Sequence, residues 1–331
     1  MKTIKKLISV LLVISFCFLL ASCFRSSPSY QEETFYVMDT VFTLRIYGKK
    51  QESQPHFAAV HALLKEVEGA LSKTIESSDV SRINQERSAG DLSFHTQTVL
   101  HIAIEMSDAT QGAYLPTMGA VSLLWALAEE NNALPNDTDL LLALENARLG
   151  LTLKDGVCTI LGEGALLDLG GIGKGYAADC VLQYLQENQV SCALLSFGSS
   201  VATLGNKPDG TPFEIGLKHP RNPLAMVGTL QNPQGILSVS GDYERYVTVN
   251  GEQYHHVIDP ADGYPSDSDV ASVAVLCESG ARSDALSTAF MVMGCEKAME
   301  WIRQSHTAIE AVFVDADGTC MATDGIAFQT K

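Results

Sequence analysis

No two of the eight cysteines stand at CxxC spacing, which argues against a zinc ribbon or finger. No GxxxxGK[ST] loop is present, so the usual cradle for an ATP or GTP phosphate is missing; nor is there a GxGxxG dinucleotide fingerprint. Basic residues are few. The 22 lysines and arginines face 39 acidic residues, for a formal charge of −17. Such a surface repels nucleic acid and anionic lipid, so neither is expected as a partner held by charge. Internal repeats and long linkers are absent as well, so length alone leaves the domain count open.

One apolar run stands out, and it lies at the start. Lys2, Lys5 and Lys6 precede Leu7 to Leu20, and Leu20-Ala21-Ser22-Cys23 follows. A basic start, an apolar stretch too short to span a bilayer comfortably, and small residues before a cut site predict a secretory signal over 1–22. Cysteine after Leu-Ala-Ser resembles a bacterial lipobox and implies a diacylglyceryl group on Cys23. Two acyl chains suffice for stable anchoring. Residues 23–33 read as a tether, rich in serine and proline from Arg25 to Tyr30, and 34–331 as the working domain. The expected place is the extracytoplasmic side of the cell membrane, held by lipid. No ATP pool is available there, which weighs against a kinase. Cys158, Cys180, Cys192, Cys277, Cys295 and Cys320 lie mostly in apolar runs and read as small core residues. Their spacing gives no disulfide framework.

Periodicity predicts mixed structure. Residues 34–47 read as one strand, with Phe42, Leu44 and Ile46 alternating. Phe57, Val60, Leu64, Val67 and Leu71 fall on one helix face, and Val99, Ile102 and Met106 on another. Residues 123–130 and 138–147 read as helical. Short strands with glycine turns are expected near 157–161, 192–197, 213–217, 235–240, 245–249 and 271–277. Helices return over 281–293 and 296–304, and a hairpin about Asp317-Gly318 closes the chain. Without strict βαβ alternation, the class is α+β.

Three stretches carry chemistry. Asp168 to Asp179, "DLGGIGKGYAAD", reads as strand end, glycine loop and helix start. Glycines permit close backbone approach, a helix start favours anions, and Lys174 adds positive charge. A tight strand-to-helix turn with a surface lysine fits the same residues. "YHHVIDPADGYP" from Tyr254 puts two histidines on opposite sides of an extended segment, so one of them could take a proton. Histidines capping a loop fit equally. In "SDALSTAF", Ser283 to Phe290, Asp284 and Thr288 share a helix face and offer hard oxygens to a cation such as Mg²⁺. A helix cap and a hydroxyl bonded back to a carbonyl are the alternative.

Together and in order, these motifs resemble the ApbE family, the FAD:protein FMN transferases. The resemblance runs from about Met38 to Gly294. It includes "MDT" at Met38, "SDVSRIN" at Ser78, "GAYLPTMGAVSLLW" at Gly112, "SGDYERY" at Ser240 and "DALSTAFMVMG" at Asp284. It implies one compact α+β domain with T-fold-like halves. It also implies Mg²⁺-dependent transfer of FMN from FAD to a serine or threonine hydroxyl of a partner protein, with AMP leaving. On this resemblance Met38, Tyr114, Leu115, Pro116, Asp168, Lys174 and Ile258 contact the flavin nucleotide. Asp284, Ser287, Thr288 and the Gly171 carbonyl hold the metal, and His256 is the base, with Lys174 beside the reaction. The partners implied are FAD and a membrane redox subunit bearing a Ser/Thr acceptor motif.

The chain also departs from the family pattern. Leu115 replaces an aspartate, and Gly198-Ser199-Ser200 replaces a Gly-Gly-Asn or Gly-Gly-Asp. Asp262 stands for a threonine, and Thr74 for an aromatic residue. A weaker hold on FAD is expected from Leu115 and Ser199. Two other outcomes stay open: a lipoprotein that binds FAD without transferring it, and a pyrophosphatase that releases FMN and AMP.

Overall fold

The computed structural model describes residues 29–231, 233–305 and 307–331. The expected signal, Cys23 and the tether as far as residue 28 lie outside the described residues. β1 (Tyr30–Val37) begins inside the stretch expected as tether and runs antiparallel to β2 (Thr40–Tyr47). The single strand expected over 34–47 is therefore a hairpin. Val37 pairs with Thr40, and Met38 and Asp39 between them have φ of 54° and 53°. That is a two-residue I′ turn built without glycine. Left-handed backbone at such residues costs about 1–3 kcal/mol, so the surroundings must hold it. Part of that support comes from the Met38 amide, which donates to Glu68 Oε1 at 2.6 Å.

Glu68 sits on α1 (Lys50–Leu71), whose Phe57, Val60, Leu64, Val67 and Leu71 are buried as the spacing predicts. α2 (Asp79–Glu86) is capped by Ser78, whose hydroxyl accepts from the Ser81 amide at 2.9 Å. β3 (Ser88–Ala89), α3 (Phe94–Ala109), α4 (Gly119–Asn131) and α5 (Asp137–Arg148) follow, then β4 (Leu151–Lys154) and β5 (Val157–Ile160). β3, β5 and β4 make a small sheet.

α6 (Gly173–Glu187) leads into β6 (Ala193–Phe197), β7 (Ser200–Leu204), β8 (Glu214–His219), β9 (Asn222–Gln231) and β10 (Gly235–Gly241). β11 (Tyr246–Val249) and β12 (Glu252–His255) form a separate hairpin. β13 (Ser272–Cys277), α7 (Gly280–Met293), α8 (Cys295–Gln304), β14 (Glu310–Val314), β15 (Cys320–Ala322) and β16 (Phe328–Thr330) complete the chain. The closing hairpin is as expected, with Val314 opposite Cys320 and Gly318 at φ 86°.

Eight strands join in the order β1-β2-β6-β7-β10-β13-β14-β15, each neighbour antiparallel. β10 shows why both faces of the sheet's middle are buried. Consecutive residues point to opposite faces, and Ile236 enters the main core under the helices while Leu237 enters a second core. That second core is completed by Leu217, Val227 and Leu230 from the small β8–β9 sheet. Helices gathered on an antiparallel sheet are the α+β class. All six cysteines among the described residues are free thiols.

The N-termini of α6 and α7 cross in contact and clasp each other. Asp179 on α6 accepts from the Gly280 and Ala281 amides of α7, at 2.6 and 2.9 Å. In return, Asp284 Oδ2 on α7 accepts from the Gly175 amide of α6 at 3.1 Å. Each carboxylate meets amides left free at a helix start. A Cβ at Gly175 would lie 1.9 Å from the Gly280 carbonyl oxygen. Gly175 is thus explained by packing, not by approach of a ligand. Gly175→Ala is expected to cost about 2–3 kcal/mol by overpacking, read as a fall of several degrees in Tm. An unchanged Tm would mean the crossing is loose.

Candidate active site

A cavity of about 520 Å³ opens beside this crossing, within the ~300–1,000 Å³ usual for small-molecule sites. One wall is the segment from Leu166 to Lys174, and several contacts fix it. Asn84 on α2 brackets Leu167, donating to its carbonyl at 3.0 Å and accepting from its amide at 2.7 Å. The Asp168 amide donates to the Pro116 carbonyl at 2.8 Å. Asp168 Oδ1 accepts from the Gly170 amide at 2.9 Å, and Oδ2 from Lys73 Nζ at 2.6 Å.

Tyr114 lies under this wall, 3% exposed, and its hydroxyl has no partner. Burial, with the charges of Asp284 and Asp168, holds its phenol well above the usual range. It therefore stays an O–H donor in want of an acceptor. A buried donor of that kind costs about 1–3 kcal/mol until it is met. A phosphate or carbonyl oxygen of a ligand would satisfy it.

Lys174 Nζ donates to the Gly170 carbonyl at 2.7 Å and lies 3.6 Å from Asp284 Oδ2. Thr288 Oγ1 faces Gly171, where a Cβ would come within 3.3 Å of it. Asp284, Thr288 and the nearby backbone thus gather hard oxygen atoms at one corner of the cavity. This donor set suits a hard divalent cation.

His256 also lines the cavity. Its Nδ1 lies 3.0 Å from the Arg245 carbonyl oxygen, which also accepts the His256 amide at 3.1 Å. A carbonyl can only accept, so Nδ1 carries the proton and Nε2 keeps the lone pair. Its pKa is lowered to about 4, first by burial, with the charges of Arg245 and Lys174 adding to the effect and the Arg245 carbonyl opposing it. The residue is exposed to water, so the downward direction is what matters: the ring is neutral at pH 7. His255 turns away, with Nε2 donating to the Ser266 carbonyl at 3.1 Å.

The loop after His256 is clamped by α4 and α5. Trp125 Nε1 donates to the Gly263 carbonyl at 2.8 Å, and Arg148 donates to the carbonyls of Pro260 and Ala261. Trp125 also packs on Tyr254 and Tyr264.

The arrangement gathers a glycine loop, a lysine, hard oxygens and a neutral histidine around one cavity. The sequence pattern of the ApbE family matches residues 38–313. The chain belongs to the ApbE family. An FAD:protein FMN transferase of Treponema pallidum is 30% identical over 319 residues, covering 88% of this chain and 86% of the relative. One from Klebsiella pneumoniae is 33% identical over 290 residues, covering 84% and 87%. The crystal structure of the ApbE protein from Thermotoga maritima superposes with a TM-score of 0.81 at 28% identity, covering 89% of this chain and 97% of that one.

With the ApbE motifs in place, their residues can be located. Met38, Tyr114, Leu115, Asp168, Gly171, Lys174, His256, Ile258, Asp284 and Thr288 all line the cavity. Pro116 and Ser287 sit behind its wall. Pro116 is buried and offers its carbonyl to Asp168. Ser287 is 0% exposed, donates to the Asp284 carbonyl at 2.8 Å and meets Ser240 Oγ at 2.7 Å. Ser199 and Thr74 line the cavity, whereas Asp262 accepts from the Tyr264 amide within its own turn.

Lys73 and Arg245 also face the cavity and are absent from the sequence expectations. Arg245 stood within "SGDYERY", but only the fold shows its carbonyl holding His256. Lys73 has no motif; its pairing with Asp168 spans the chain. Five carboxylates, Asp39, Glu68, Asp168, Glu244 and Asp284, stand against three cations, Lys73, Lys174 and Arg245. A diphosphate entering this acidic cavity needs added positive charge.

Proposed function

We propose that this protein transfers FMN from FAD to a serine or threonine hydroxyl of an acceptor protein, releasing AMP. The observation that carries the reading is a neutral His256 facing the same cavity as the Lys174 loop and Asp284, in a chain of this family. Met38, Tyr114, Leu115, Asp168 and Ile258 contact the flavin nucleotide. The orphaned Tyr114 hydroxyl meets one of its acceptor oxygens.

Asp284, Thr288 and the Gly171 carbonyl would hold Mg²⁺, with Ser287 behind them bonded to the Asp284 main-chain carbonyl. Bound there, Mg²⁺ supplies the countercharge that a diphosphate and a departing phosphate need. Lys174 adds to that charge. His256 Nε2 takes the proton of the acceptor hydroxyl. The hydroxyl oxygen bonds to the FMN phosphorus, the anhydride bond to AMP breaks, and AMP leaves with the electron pair. The anhydride itself supplies the driving force, so no ATP is required.

The test is incubation with FAD, Mg²⁺ and a membrane extract of the source cells, read by in-gel flavin fluorescence and AMP release. A covalently fluorescent protein band supports transfer. AMP without a labelled band would replace it with FAD hydrolysis, and bound FAD without AMP with simple binding. The acceptor is a membrane redox subunit with a Ser/Thr motif, and the enzyme meets it on the extracytoplasmic face through a lipid on Cys23. Cys23→Ser is expected to release the protein from the membrane fraction or leave the precursor uncut. Unchanged processing and retention would remove the anchor from this account.

A further inference from the structure

β1 is the edge of the eight-stranded sheet, with β2 on one side and no strand among the described residues on the other. The I′ turn settles which backbone groups face that edge. In a two-residue hairpin the residues flanking the loop exchange hydrogen bonds, so Val37 bonds Thr40 and Phe35 bonds Phe42. The intervening residues, Thr34 and Tyr36, then point their amides and carbonyls outward. β2 bears out the alternation: the Val41 carbonyl and the Tyr47 amide, opposite Tyr36 and Tyr30, turn to the other side and bond Gly198 and Cys192. No described residue bonds the backbone of Thr34 or Tyr36.

Edges are usually blunted by charge, proline or a bulge. β1 pairs with β2 in unbroken register and contains no proline. Its charges, Glu32 and Glu33, lie in the other half, with Glu33 next to Thr34. The half beside the cavity, Thr34 to Val37, is uncharged and carries Tyr36 at 68% exposure. That half runs straight into Met38 and Asp39, which line the cavity. An extended segment paired with it is led to the cavity mouth.

We propose that the free edge of β1 from Thr34 to Val37 is the docking site of the acceptor protein, an extended segment of which adds as a further strand and carries its hydroxyl to the cavity. This rests on the transferase reading. Main-chain bonds to an edge accept many sequences, which suits a site that must hold a peptide without enclosing its side chains. Specificity is then left to the residues nearest the hydroxyl.

The test compares Thr34→Pro, which deletes one outward amide, with Thr34→Ala, which keeps it. An edge strand tolerates proline where its amide faces solvent. The probe is the protein band that the parent enzyme labels in a membrane extract of the source cells. Thr34→Pro should lower labelling at least tenfold with FAD binding kept, and Thr34→Ala should label normally. Equal labelling by both variants overturns the proposal. Hydrogen exchange on the unaltered full chain decides independently of folding: the Thr34 and Tyr36 amides should gain protection with the purified acceptor, not with FAD. Protection in the free protein, or none with acceptor, also overturns it. A parent enzyme that labels no band would instead sink the transferase reading.

Discussion

Single-turnover flavin transfer by His256→Ala is expected to fall roughly 10²- to 10⁴-fold at saturating FAD, the usual share of a general base. FAD binding should change little. The acceptor hydroxyl is a poor nucleophile until its proton leaves. His256 is ready to take it, because Nδ1 is committed to the Arg245 carbonyl and the ring is neutral, with a pKa lowered to about 4. The kcat/KM profile, which reports the free enzyme, should be flat through neutral pH and fall only on the acid side of the ordinary histidine range. Bound diphosphate favours the charged ring, so the acid limb of kcat should lie higher.

Stability follows the same group. The unfolded ring takes its proton near 6.5 and the folded one near about 4, so its contribution is full above 6.5. It is lost as pH falls through that window. His255→Ala should lose a backbone hydrogen bond and little rate. Transfer at the parent rate by His256→Ala would remove His256 from the chemistry.

Asp284→Ala is expected to abolish Mg²⁺-dependent turnover and also to lower Tm. The carboxylate side chain is 8% exposed. Removing it leaves the Gly175 amide without its acceptor, a loss of about 1–3 kcal/mol for a buried donor. Asp284→Asn separates the two effects. Its amide oxygen can still accept from Gly175, so Tm should largely recover, but the charge that draws the cation is gone. Titration of Mg²⁺ against AMP release and a thermal melt would be run on both variants. Normal Mg²⁺ dependence in Asp284→Asn would move the metal elsewhere.

Much of the helical layer was legible, because spacings such as Phe57, Val60, Leu64 and Val67 survive whatever the helix packs against. The hairpin at Met38 was not, since neither turn residue is glycine or asparagine. A signal was nonetheless present: buried residues sit at odd positions in Phe35 and Val37, then at even ones in Phe42, Leu44 and Ile46. That change of parity marks a chain reversal. The glycine loop was legible as a motif but not in its parts. Gly175 answers to Gly280, and no local pattern links residues so far apart. Alternation on an extended chain left only one of His255 and His256 able to face the site, and the resemblance to the family singled out His256. Its tautomer was not legible, because Arg245 reaches it only through the β11–β12 hairpin. Pro116 and Ser287 belong to the same motifs as cavity residues yet stand behind the wall, a depth that sequence spacing does not encode.

The clasp between α6 and α7 has a consequence for how such a sequence can change over time. One oxygen of Asp284 faces both the chemistry and the Gly175 amide, so a substitution there is judged by folding and by activity at once. Intermediate sequences that trade a little of one for the other are closed off. A duplicated copy released from flavin transfer would be freer to lose His256, an exposed side chain bonded to the Arg245 carbonyl. It would still be held to Asp284, to Gly175 and to Asp179. In such a copy His256 would erode first, and the Asp284 corner would persist as a relic of structure.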